Sequence, residues 1–221
     1  MKLAVVALVI CSVAIAQVAD KANQRYKTEE GRQAVAAGLG APERDAQQKP
    51  RELVAAMKLK PGMTVIDVGT GVGYMLPYLV QAVAPGGRVI AEDIFPDFLA
   101  KARAKAESET LAGVTFVLGT DRDPKLPEAS ADAVLVLDVY HHFDYPPKML
   151  AAISRALKPD GKLVVVEYHK NEESMGGGFA LQHIRLGRDD AIKEIEANGF
   201  AVEEVHDHVP RVQWMAAFRK R

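Results

Sequence analysis

From Thr64 onward the chain alternates short β-branched runs with helical stretches, and this alternation restricts the fold more than any other feature. Runs at Thr64 to Val68, Arg88 to Asp93, Val114 to Leu118, Ala133 to Asp138 and Lys162 to Tyr168 read as strands, with helices predicted over 72–83, 96–109 and 146–157. Strand–helix–strand order requires right-handed crossovers, which makes this an α/β protein with a mostly parallel sheet and helices on both faces. Such a sheet binds ligands at the carboxyl ends of its strands. A leading helix is predicted over 44–59, stopped by Pro61-Gly62, and another over 188–198. Two further strand-like runs, 201–206 and 211–218, are expected to pair around Val209-Pro210.

The 221 residues suffice for one well-buried core, and a single domain is expected over 43–221. A formal charge of -1 gives no basic surplus, which disfavours a nucleic-acid partner. The first sixteen residues read as a signal peptide. Lys2 precedes an apolar run from Leu3 to Ile15, and Ala14-Ile15-Ala16 fits a small-x-small cleavage site. Export, to a periplasmic or secreted location, is expected after cleavage at Ala16, with an uncleaved anchor as the alternative; the run is short for a stable membrane span. Residues 17–42 are polar and alanine-rich, and read as a linker or loosely packed arm. Cys11 is the only cysteine, so thiolate metal sites and cysteine nucleophiles are excluded from the mature domain.

The run Val65-Ile66-Asp67-Val68-Gly69-Thr70-Gly71-Val72-Gly73-Tyr74 passes from a strand into a helix through a loop that lets backbone approach a ligand closely. A dinucleotide fingerprint starting at Gly69 would need glycine at position 74, where Tyr74 stands. Asp67 would repel a pyrophosphate but would favour a ligand carrying an ammonium and a sulfonium. The second strand ends at Asp93, about 20 residues beyond the loop, where a carboxylate accepts hydrogen bonds from ribose hydroxyls. Glu92 is expected on the opposite face of that strand.

The segments VIDVGTGVGY, RVIAEDIFPDFL, LPEASADAVLVLDVYHHF and ALKPDGKLVVVEY together resemble the successive motifs of the class I S-adenosylmethionine-dependent methyltransferases. The resemblance covers about Gln48 to Phe218 and implies a Rossmann-like fold, with a seven-stranded sheet and an antiparallel last strand. It implies S-adenosyl-L-methionine as cofactor, held by Gly69, Thr70, Gly71 and Gly73 with Asp67 beside them. It further implies Asp93 at the ribose, with Ile94 and Asp121 at the adenine, although Asp123 is an alternative to Asp121. Asp138, a further cofactor-binding candidate, begins a segment that in that family lies beside the methionine end of the cofactor and faces the substrate.

Methyl transfer is a direct displacement at carbon, so the protein mainly aligns the reactants and excludes water. Tyr140, His141 and His142 are the catalytic candidates, because histidine titrates near neutrality and can serve as base or substrate ligand. His206 and His208 share a strand face but lack a third ligand, and no metal site is expected. The expected activity is methyl transfer to a small-molecule acceptor. A catalytically silent binding protein of the same fold is the alternative, and a nicotinamide-dependent oxidoreductase is disfavoured by Tyr74.

Overall fold

The computed structural model describes residues 17–221, so the signal-peptide expectation lies outside the described residues. Seven strands form one sheet: β1 (Thr64–Val68), β2 (Arg88–Asp93), β3 (Val114–Leu118), β4 (Ala131–Leu137), β5 (Leu157–Tyr168), β6 (Phe200–Val209) and β7 (Gln213–Lys220). Their spatial order is β3-β2-β1-β4-β5-β7-β6. Strands β1 to β5 pair in parallel, while β7 runs antiparallel to both β5 and β6. The order reverses between β1 and β4, which opens a crevice at their carboxyl ends.

Burial follows this topology. All five residues of β1 are buried, because β1 sits mid-sheet with helices on both faces. One apolar cluster places Ile66, Val134 and Val165 with Trp214 on one side, and a second places Val65, Leu135 and Val164 with Leu79 on the other. Adjacent strand residues thus feed opposite cores.

Eight α-helices complete the described chain, beginning with α1 (Glu29–Leu39), α2 (Arg44–Gln48) and α3 (Pro50–Ala56). The crossover helices are α4 (Leu76–Val83), α5 (Pro96–Ser108) and α6 (Pro146–Ala156), and α7 (Phe179–His183) and α8 (Arg188–Ala197) follow β5. The single helix predicted over 44–59 is two helices. Lys49 takes a left-handed conformation, φ 44°, between α2 and α3, because Pro50 disfavours the helical region for the residue before it. The helix predicted from residue 72 starts at Leu76, since Gly73 has φ +82° and holds the preceding residues in turns. The closing hairpin turns at 210–212, somewhat later than its predicted runs implied.

Residues 17–42 are folded against the domain. Ala22–Lys27 form a 3-10 turn leading into α1, which Thr28 caps by accepting from the Gly31 N–H. Tyr26 stacks on Phe95 with ring centroids 5.6 Å apart, and Arg32 pairs with Asp97 at 2.8 Å. The polar composition of this arm suits its exposed side, and its few large apolar residues make the contact.

Gly73 joins the loop to the helices. A Cβ there would stand 2.8 Å from Leu76 Cδ1 and 3.1 Å from the Ala102 backbone, in a left-handed conformation that L side chains avoid. Gly73→Ala is therefore expected to destabilise the fold by roughly 1–3 kcal/mol, read as a lower urea midpoint with an unchanged slope.

Candidate functional site

Parallel strands β1, β2 and β4 end side by side, and a cavity of about 420 Å³ opens above them. The loop after β1 lies across the end of β2. Gly71 N–H donates to Asp93 Oδ2 at 2.9 Å, and Phe95 N–H donates to Asp93 Oδ1 at 2.9 Å. Gly69 N–H points at Glu92 Oε2, 3.4 Å away. Gly69 itself has φ +69°, and a Cβ would collide with Val139 at 2.6 Å, so the loop packs its bare backbone against the segment after β4.

Of the residues singled out in the sequence, Gly69, Thr70, Gly71, Asp93, Ile94, Asp121, Asp138 and His142 line the cavity. Others do not. Asp67 lies beneath the loop, where Thr70 Oγ1 donates to its Oδ2 at 2.7 Å, and Gly73 is taken up by helix packing. Tyr140 is buried and donates its hydroxyl to Glu194 at 2.6 Å. His141 is buried against Glu167, with Nδ1 2.7 Å from Oε2. His206 and His208 do not meet: His206 lies beside Glu204, and His208 Nε2 is 2.7 Å from the Gln48 carbonyl.

Glu92 corrects an expectation. It was placed on the far face of β2, yet it lines the cavity beside Asp93, because the loop folds over the strand end and reaches it. Its Oε1 is buried without a hydrogen-bond partner among the described residues. Other groups were invisible in the motifs. Tyr26 and Asn23 line the cavity from the arm, and Gln213 donates to Asp138 at 2.7 Å. No local pattern marks them, since their partners lie far away in the chain.

The cavity is electrostatically lopsided. Burial lifts Asp67 to about 7 and Asp93 to about 6, and it pushes Glu92 and Asp138 upward as well, with Asp93 adding to the rise at Glu92 and Glu167 to that at Asp138. Four crowded carboxyls that resist ionisation are stabilised as anions by a cationic ligand. Burial also holds His142 neutral and lowers His183 to about 4.

Asp67 gives a stability test. Its folded value is raised from 3.8 to about 7, so the folded state holds the proton more tightly and stability without ligand falls as pH rises through that window. Asp67→Asn removes this slope. The variant should therefore gain on the wild type between about pH 4 and about pH 7 in urea titrations of the ligand-free protein.

Fold and cavity together define the class: a Rossmann-like fold of the methyltransferase type, with a seven-stranded sheet and a crevice at the glycine loop. Residues 66–165 match the family model described as a methyltransferase domain. The chain is 33% identical over 113 residues to a nocamycin O-methyltransferase of Saccharothrix syringae, covering 51% of this chain and 40% of that protein. It is also 33% identical over 151 residues to an uncharacterized methyltransferase of Mycobacterium tuberculosis, covering 68% of this chain and 58% of that one. The chain thus spans about half the length of these relatives. Among solved structures, a SAM-dependent methyltransferase from Aquifex aeolicus superimposes with a TM-score of 0.78 at 25% identity, covering 85% of this chain and 98% of that one. S-adenosylmethionine is the cofactor that these matches imply.

Proposed function

We propose that this protein transfers a methyl group from S-adenosylmethionine to a small-molecule acceptor. The observation that carries the reading is the bare glycine turn set among buried carboxyls that a positive ligand stabilises. The donor set suits that cofactor. The unpartnered Glu92 Oε1 and the free lone pairs of Asp93 are acceptors for hydroxyl groups, and Asp138 turns a carboxyl toward a positively charged ligand. When bound, S-adenosylmethionine supplies a methyl group activated by its sulfonium.

The chain's own residues bind, orient and exclude water. Tyr26, Phe95, Phe98 and Phe143 give the cavity apolar walls, and the arm covers it. A cavity of this volume suits a small acceptor. The nocamycin O-methyltransferase among the relatives agrees with that class of acceptor. Of the three catalytic candidates, His142 is the one that lines the cavity, where it presents a neutral imidazole. We assign it to the acceptor side.

Equilibrium binding of S-adenosylmethionine to the purified protein tests the donor half. Asp93→Ala is expected to weaken binding roughly tenfold or more, the cost of losing a charged hydrogen-bond acceptor; an unchanged affinity rejects the site. Formation of S-adenosylhomocysteine with small-molecule extracts tests transfer. Binding without product from any extract would instead favour a silent binding protein. With an acceptor in hand, His142→Ala should lower kcat/KM for that acceptor while donor affinity is retained.

A further inference from the structure

Three imidazoles meet at the cavity wall, which His142 lines. His141 and His142 leave the 3-10 turn after β4, and His183 ends α7, which follows the glycine-rich segment 175–178. His141 Nε2 and His183 Nε2 are 3.2 Å apart. One ring nitrogen of His142 completes a trio whose ligand atoms all lie within 4.8 Å of one another. We propose that His141, His142 and His183 form a binding site for a single divalent transition cation of the zinc and cobalt type.

Glu167 sets the arrangement. Its side chain is buried, its Oε2 accepts the backbone N–H of His141 at 3.1 Å, and its Oε1 accepts the N–H of Tyr168 at 2.8 Å. With the carboxylate fixed at both oxygens, His141 Nδ1–H donates to it at 2.7 Å, which leaves the lone pair on Nε2, the atom facing His183. A carboxylate behind a ligating histidine is the usual outer support of an imidazole–metal bond, because it fixes the tautomer and raises basicity.

The spacing agrees with coordination. Two imidazole nitrogens bound at about 2.1 Å to one tetrahedral ion stand about 3.4 Å apart. His141 and His183 already have that separation. His142 is engaged by the arm, with Nδ1–H donating to Asn23 Oδ1 at 2.8 Å and Nε2 3.4 Å from the Tyr26 hydroxyl, so completing the trio takes a ring rotation. Three histidines leave a tetrahedral ion one open position, the pattern of a reactive rather than a structural centre. Imidazole ligands select zinc, copper, nickel or cobalt over magnesium and calcium, which prefer oxygen. The proposal does not depend on methyl transfer.

The test titrates the full chain, stripped with a chelator, with Zn²⁺ and then Co²⁺. One equivalent should bind with a dissociation constant of about 10 µM or tighter, and Co²⁺ should give the visible bands of a low-coordinate imidazole site. His183→Ala and His183→Asn, at a half-buried position, should each abolish the Co²⁺ spectrum and weaken binding. Glu167→Gln should weaken it roughly 10–100-fold while leaving the ligands in place, and His206→Ala should change nothing. A spectrum that persists in either folded His183 variant overturns the site. So does a wild-type chain that takes up no cation at about 100 µM while remaining folded by circular dichroism, in which case the close pair is a plain histidine–histidine hydrogen bond. Binding of S-adenosylhomocysteine to the stripped chain separates this result from the donor reading.

Discussion

The structure turns on carboxyl groups buried where parallel strands end. Burying a carboxylate is costly unless hydrogen bonds or opposite charge compensate, and here the compensation comes from the loop that crosses them and from the turn after β2. Gly71 and Phe95 amides hold Asp93, the Thr70 hydroxyl holds Asp67, and Gly69 approaches Glu92. The loop can lie this low because Gly69 and Gly71 bring bare backbone to Glu92 and Asp93. Loop, strand ends and cavity are therefore one unit: the same bare backbone that supports the acids also opens the space beside them.

Much of this was legible in the sequence. Strand–helix alternation has a local cause, the switch between β-branched runs and helical spacing, and all seven strands fall at or near their predicted positions. Asp93 was legible because strand ends and loop spacing are local too. Glu92 was misplaced because alternation along a strand describes its middle, whereas its end meets a crossing loop. The break at Lys49 was written in Pro50, whose effect on its neighbour a long apolar period obscured.

What stayed hidden was every wall built by distant segments. The arm reads as polar linker because only Ala22, Tyr26 and a few neighbours make its contacts. His141 reads as an active-site candidate, yet its partners are Glu167 on β5 and His183 on α7. A pair of adjacent histidines cannot announce a third lying forty residues later. His206 and His208, by contrast, were grouped by strand spacing alone, and the fold gives them separate partners.

The final strand gives the molecule a particular order of assembly. Strand β7 inserts between β5 and β6, and its first residue, Gln213, reaches back to Asp138 and to Gln48. A chain still emerging during synthesis, complete through α8, has the glycine loop but not the amide that fixes one oxygen of Asp138. Such a sequence-distant closure is slow to find. The crevice thus reaches its finished shape only once β7 is in place, and ligand competence reports the insertion of that strand.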